Sequence, residues 1–258
     1  MKNPYIQLTH ILFTESSDSP DYAIAYSILM HSHNPQIITT NLLAEECNVS
    51  KPTIIRFCRS LGYKDFTNFR WSLNLTPNAS IKNYPFINDI GSFTHSYYSS
   101  LRDTISWMEM NLPKETLIQL AKDIISHKNI YLFGNAQSND SAHNFMRKLL
   151  LQGQQVQVVS NPALQETTIK HLPPDSLSII ISVNGDFWTT FVEPGCFKDK
   201  PPQQLVYWLT CNPSYDEIPN VDHTILCCNH AGFTGGNLSI EIALNLVLQY
   251  CWYFRGIL

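Results

Sequence analysis

Apolar positions at helical spacing dominate the first third of the chain, and a helix–strand alternation dominates the rest. Ile6, Leu8, Ile11, Leu12 and Phe13 predict a short opening helix, which the polar run SSDSPD (residues 16–21) ends. From Asp21 to about Ser32 a second helix carries Ala23, Ile24, Ser27, Ile28 and Met30 on or near its inward face. Leu43, Ala44 and Cys47 repeat at helical spacing after three candidate caps, Thr39, Thr40 and Asn41. Asn48, Val49 and Ser50 then break the period. Asn tolerates a left-handed backbone better than any residue except Gly, which suits a sharp helix–helix turn. Ser50 reads as the next N-cap and Pro52 fits a first helical turn. The helix from Lys51 to about Leu61 turns Ile54, Cys58 and Leu61 inward and ends at Gly62. A further helix, Asp65 to Leu73, places Phe66, Phe69 and Trp71 near the same core.

Residues 77–89, with Pro77 and Pro85 and no helical period, read as a linker between an N-terminal domain (1–76) and a second domain (90–258). The second domain opens with helices from about Ile90 to Met110 and from Lys114 to Ser126. Strand candidates follow at 130–133, 156–159, 177–182, 205–210 and 223–228. Helices are expected at 138–152, near 163–171 and from about Gly236 to Phe254. Strands alternating with helices predict a doubly wound, five-stranded parallel sheet covered on both faces. The fold class is α/β with an all-α N-terminal domain. Ligands of such sheets bind beyond the carboxyl ends of the strands, where the strand order reverses.

Charge gives the helix pair its chemistry. Residues 1–77 hold six Lys/Arg and six Asp/Glu, yet Lys51, Arg56, Arg59, Lys64 and Arg70 lie on or just after the second helix of the pair, opposed there only by Asp65. A cationic face that also presents Ser50 and Thr53 suits phosphates and base edges of a DNA major groove. The same face would also serve as a solvated surface. The compact Ala-x-x-x-Asn-Val-Ser spacing favours a helix-turn-helix. Thr39, Ser50, Lys51, Thr53, Arg56 and Arg59 are the expected DNA contacts, with Tyr63 and Lys64 on the flanking backbone.

The net charge of −4 argues against a protein that coats nucleic acid and is compatible with locally placed positive charge. With 44% hydrophobic and 15% charged residues, the chain is globular. Its seven cysteines form no CxxC pair and are expected to be reduced, mostly buried thiols. No metal site, cofactor, signal segment or membrane span is expected, and the location is expected to be cytoplasmic.

The stretch LLAEECNVSKPTIIRFCRSLGYKDFTNFR (residues 42–70) resembles the N-terminal DNA-binding domain of the RpiR family of bacterial transcription regulators. The matching pieces are Leu-Ala, Val49-Ser50, Thr53-Ile54, Arg56-Phe57, Leu61-Gly62-Tyr63 and Phe66. The family usually has Gly where this chain has Asn48. In that family a sugar isomerase (SIS) domain, an α-β-α sandwich that senses phosphorylated sugars, follows. FGNAQSNDSAHNFMRKLLLQGQQV (133–156) resembles the opening of such a domain, and LPPDSLSIIISVNGDF (172–187) resembles its second loop, usually Ser-x-Ser-Gly-x-Thr.

The resemblance implies a sugar-phosphate site with Asn135, Gln137, Ser138, Ser182, Asn184, Gly185 and Glu241 as contacts. It also implies a regulator of carbohydrate genes that binds a double-stranded operator as a homodimer or homotetramer. The departures are Ala136 for Gly, Asn184 for Ser, Asp186 after the Gly, and Phe187 for Thr. Asp186 sets a negative charge where a phosphate would rest, and Phe187-Trp188 would make the mouth bulky and apolar. Three readings stay open: a sugar phosphate held through Ser138, Ser182 and Asn184; a less charged ligand; and a ligand-free dimerisation scaffold. An isomerase, with Glu241 or His143 as general base, is the alternative from another class; an enzyme is not expected. The apolar C-terminal helix (Ile240, Ala243, Leu244, Val247, Leu248, Tyr250, Cys251) can serve dimerisation, or equally core packing.

Overall fold

A computed structural model describes residues 4–75, 89–135, 137–185, 187, 197–215, 218–229 and 235–256. The chain divides into two compact units between residues 82 and 83. The expected linker lies outside the described residues except for Asp89, which caps the helix after it by accepting from the backbone N–H of Ser92 at 2.8 Å.

The first unit is all helical: α1 (Pro4–Thr14), α2 (Pro20–Met30), α3 (Thr40–Glu46), α4 (Lys51–Ser60) and α5 (Phe66–Leu75). One core joins them through Leu8, Ile24, Ile28, Ile38, Leu43, Ile54, Phe57, Phe69 and Leu73, all buried. Two expectations fail on helical geometry. Trp71 is 64% exposed, because Phe66, Phe69 and Leu73 already take the inward face of α5 and Trp71 projects from the opposite side. Met30, in the last turn of α2, is likewise exposed.

The second unit runs α6 (Ile90–Asn111), α7 (Lys114–Ser126), β1 (Asn129–Gly134), α8 (Gln137–Leu151), β2 (Gln157–Val159), α9 (Pro162–Lys170), β3 (Ser176–Ser182), β4 (Leu205–Thr210), β5 (His223–Leu226) and α10 (Gly235–Phe254). All strand pairs are parallel, in the order β2-β1-β3-β4-β5. The chain winds outward from β1 to β2, then returns to β3 on β1's other side. The switch point therefore falls between β1 and β3. All seven residues of β3 are buried, as a central strand covered on both faces requires. One face packs Leu132, Ile179, Ile181 and Leu209 against α7, α8 and α10. The other packs Phe133, Ile180, Val206 and Trp208 together with Phe187 and Phe197.

The C-terminal helix belongs to that first core. Ile240, Ala243, Leu244, Val247, Leu248 and Cys251 are all buried within their own unit, so the stripe offered for dimerisation is spent on packing. The six described cysteines carry no disulfide, and five of them are buried. Burial pushes the Cys58 thiol up to about 12 and that of Cys251 up to about 11, so neither is a ready nucleophile.

Candidate nucleic-acid interface and ligand site

The turn between α3 and α4 is built as the residues dictate. The Thr39 side chain accepts from Leu42 N–H at 3.1 Å and caps α3. Asn48 takes a left-handed backbone at φ 51°, and Val49 N–H returns to Ala44 O at 3.0 Å. Ser50 caps α4, its hydroxyl 2.9 Å from that of Thr53. At the far end Gly62 (φ 86°) lets Tyr63 N–H reach Cys58 O at 3.0 Å.

Ile54, Phe57 and Cys58 turn inward, leaving Ser50, Lys51, Arg56, Arg59 and Lys64 exposed and Thr53 half-buried. Arg56 and Arg59, three positions apart, are neighbours on the outer face of α4. Among the described residues Lys51, Arg56, Arg59 and Lys64 make no ion pair, so their charge is available to an external anion. Tyr63 departs from its expected place on the DNA backbone. It is 9% exposed, its ring meets Phe69 edge-on at 5.1 Å, and its hydroxyl donates to Gln7 Oε1 at 3.0 Å. Burial raises its pKa.

One residue outside the expected set holds the pair in place. Glu46, at the end of α3, accepts from Ser27 Oγ at 2.6 Å and meets His31 Nε2 at 2.9 and 3.1 Å, tying α3 to α2. The Ser27 hydrogen bond, then that of His31, hold this carboxyl below its ordinary 4.5. In sequence Glu46 is only a polar residue between apolar ones; its partners lie 19 and 15 positions away.

In the second unit the ends of β1 and β3 meet the starts of two helices. A Cβ on Gly134 would come within 2.8 Å of the Ser138 backbone, so only Gly lets α8 begin this close to the strand. Ser138, buried, donates its backbone N–H to Asn135 O, and its hydroxyl accepts from Val183 N–H at 3.4 Å. From the other side Gly236 brings α10 against Val183, where a Cβ would lie 2.5 Å from Cγ1. Two helix N-termini thus close on the residue after β3, a setting that favours an anion.

Within the β3 loop, Ser182 Oγ accepts from Phe187 N–H at 3.2 Å. Gly185, at φ 79°, has the Tyr215 ring where a Cβ would sit, 2.2 Å away. Asn184 is exposed, and its carbonyl accepts from Asn212 Nδ2 at 2.9 Å. The structure thus gathers Asn135, Ser138, Ser182, Asn184 and Gly185 at the switch point.

Other expected contacts fare differently. The side chain of Gln137, and the whole of Ala136, Asp186 and Trp188, lie outside the described residues. Phe187 does not block the mouth: it is fully buried on the sheet, edge-on to Phe133 and Trp208 at 6.4 and 6.3 Å. Glu241 lies six residues into α10, about 9 Å along the axis from Gly235, and accepts from Asn144 Nδ2 of α8 at 2.9 Å. That hydrogen bond links α10 to α8. His143 bonds Ser160 Oγ at 2.7 Å.

Sequence reasoning missed Gln165. Fully buried on α9, it donates through Nε2 to Gly134 O at 2.9 Å and Val159 O at 2.8 Å, which leaves its Oε1 unpaired. Asn135 is 6% exposed, and neither Nδ2 nor Oδ1 has a hydrogen-bond partner. A buried polar group left so costs about 1–3 kcal/mol.

Residues 7–78 match the helix-turn-helix domain of the rpiR family. The chain is 27% identical over 172 residues to the HTH-type transcriptional regulator HexR of Escherichia coli, covering 65% of this chain and 55% of HexR. It therefore spans about half the length of that curated relative. Among solved structures, Vibrio vulnificus NanR complexed with ManNAc-6P superimposes with a TM-score of 0.53 at 18% identity, over 98% of this chain and 93% of that one. A phosphoheptose isomerase from Francisella tularensis gives 0.50 at 13% identity, over 62% and 96%. Both likenesses carry the fold. No helix of the described residues is long and apolar enough to cross a membrane.

Proposed function

Residues 7–78 belong to the rpiR family of helix-turn-helix domains, and from that premise we propose that the protein is a cytoplasmic transcription regulator that binds a double-stranded operator and answers to a phosphorylated sugar. The observation that carries this reading is the outer face of α4, where Lys51, Arg56 and Arg59 stand exposed and unneutralised on a helix locked by caps at both ends. Phosphate contacts from Lys51, Lys64 and the capping residues Thr39 and Ser50 set the register, while Arg56, Arg59 and Thr53 read base edges.

The SIS-like unit supplies the sensor. Ser138, Ser182 and Gly185 surround two helix N-termini suited to a phosphate, and the burial of Phe187 leaves the mouth clear of that ring. NanR, which shares the fold, is complexed with a sugar phosphate, in keeping with this assignment. Sensing rather than turnover is supported by the attached helix-turn-helix unit; of the general-base candidates, Glu241 accepts from Asn144 and His143 bonds Ser160. The regulator acts as a homo-oligomer, since a repeated operator needs two reading heads.

Two measurements on the full chain test the reading. Selection of bound fragments from genomic DNA should recover a repeated motif; recovery without sequence preference would sink the regulator assignment. Thermal shift against sugar phosphates and their unphosphorylated sugars should give a rise only with the phosphates. Turnover of a sugar phosphate, lost in Glu241→Gln, would instead favour an isomerase.

A further inference from the structure

We propose that a groove on the first unit, walled by Tyr22, Tyr26 and Met30 of α2 and by Glu46 of α3, docks a basic segment of a partner protein, which anchors an aliphatic or aromatic side chain in it. The inference goes beyond DNA and sugar phosphate to a third binding surface.

The groove has a volume of about 500 Å³ and lies along α2 and the end of α3. Tyr22, Tyr26 and Met30 recur every four positions, so they form one stripe of α2. Ile24, Ala25 and Ile28 already supply that helix's contribution to the core. The stripe is left outside, with Tyr26 51% and Met30 58% exposed. The Tyr22 and Tyr26 rings stack at 6.3 Å and 9°, which makes a flat aromatic wall. Beside it Glu46 is fixed by Ser27 Oγ at 2.6 Å and His31 Nε2 at 2.9 Å. A carboxylate held next to aromatic faces suits a guanidinium or ammonium, which pairs with the one and stacks on the other.

Charge selects the occupant. Residues 3–50 contain Glu15, Asp18, Asp21, Glu45 and Glu46 and no Lys or Arg. No residue lining the groove belongs to α4, so the face carrying Arg56 and Arg59 stays free for DNA. Nucleic acid itself is repelled by the acidic rim. The basic face of a second copy, on α4, is engaged by the operator, and its α2 face carries the same negative sign. The sensor unit does not fit either, since residues 78–258 hold 15 Asp/Glu against 11 Lys/Arg. A partner segment with Lys or Arg flanking an apolar anchor satisfies both the aromatic wall and the carboxylate.

The test titrates a labelled amphipathic peptide of Leu, Trp, Lys and Arg into the full chain carrying ¹³C-methyl methionine. The same peptide with Glu at every basic position is the control. The basic peptide is expected to bind and to shift the methyl resonance of Met30, one of five methionines, and the acidic peptide to do neither. Tyr26→Ser combined with Met30→Ser should lose about tenfold in peptide affinity, with a melting temperature close to wild type. Trp71→Ser, which removes an exposed ring elsewhere on the unit, should lose nothing. No binding, no shift at Met30, or an equal loss in Trp71→Ser would each overturn the groove as the site. So would unchanged affinity in the double variant, by reducing the attraction to general charge. A double variant that sediments as a smaller species would overturn the proposal in favour of a contact between copies. In cells the double variant should lose control of a reporter behind the operator while binding that operator normally when purified; retained control would overturn the partner's part in regulation. A wild type that binds no operator would sink the regulator reading, and the peptide result would still decide the groove.

Discussion

At the residue scale the proposed DNA face and the core of the first unit divide cleanly, and two sets of substitutions separate them. Replacing Arg56 and Arg59 with Ala removes exposed, unpaired charges from α4 and leaves the core of the unit untouched. Operator affinity should collapse while the melting temperature stays put, and the slope of log K against log salt should flatten by up to about 0.9 for each phosphate no longer neutralised. An unchanged slope and affinity would remove these residues from the interface. Tyr63→Phe is the converse: it deletes the hydroxyl bonded to Gln7 and should cost about 0.5–1.5 kcal/mol of stability with operator affinity unchanged. The same contrast marks where the sequence is readable. Caps, the left-handed Asn48 and the outward arginines follow from local rules, because each depends on residues within one helical turn. Tyr63 and Phe187 escape those rules, because their rings are placed by distant partners such as Gln7 and Trp208, whereas helical spacing alone sets Trp71 opposite Phe66, Phe69 and Leu73.

At the element scale the position of α3 depends on a long-range tie that no period reveals. Glu46 bonds both Ser27 and His31 of the α2 segment, and those bonds lower its pKa. A carboxyl whose folded pKa lies below its unfolded value contributes stability that is fully present above about 4.5, the ordinary glutamate value. That contribution is lost as pH falls through the lower, folded value. Glu46→Gln should therefore be less stable than wild type at neutral pH, and the gap should narrow as the solution is acidified below 4.5. Denaturant melts at neutral pH and about one unit below the ordinary glutamate value read the difference; a gap that is constant with pH would mean the charge contributes nothing. The tie is partly exposed, so its effect is modest and salt-sensitive. The β-strands, by contrast, are legible almost to the residue, since runs such as LSIIIS are buried on both faces and admit no helical period. The ligand loops are legible as loops, but the unpaired state of Asn135 and Gln165 emerges only once β1, β2 and α9 are assembled.

At the scale of the whole molecule the homo-oligomer proposed above would need a surface that joins two copies, and the apolar face of α6 is a better candidate for it than the buried stripe of the C-terminal helix. A single apolar stripe runs along α6 at helical spacing: Ile90, Phe93, Tyr97, Leu101, Thr104 and Met108. Its final third is buried, with Thr104 and Met108 nearly or fully inaccessible, and α6 packs on α10. Its first part continues the same stripe into solvent, with Ile90 85% exposed and Tyr97 also exposed. The stripe of α10 from Ile240 to Cys251 is buried in its own unit's core, and only Tyr253 and Phe254 in its last turn are exposed large apolar side chains. An apolar helix face that outruns its own core is suited to hold a second copy, and with it the second reading head. Replacing Ile90 and Tyr97 with Glu should convert the proposed homo-oligomer to monomers in sedimentation velocity, leave thermal stability of each unit nearly unchanged, and weaken binding to a two-site operator far more than to a single half-site. If the doubly substituted protein sediments as wild type, the stripe serves another purpose and the dimer must form elsewhere. If it becomes monomeric yet binds the full operator as tightly, oligomerisation contributes nothing to DNA recognition.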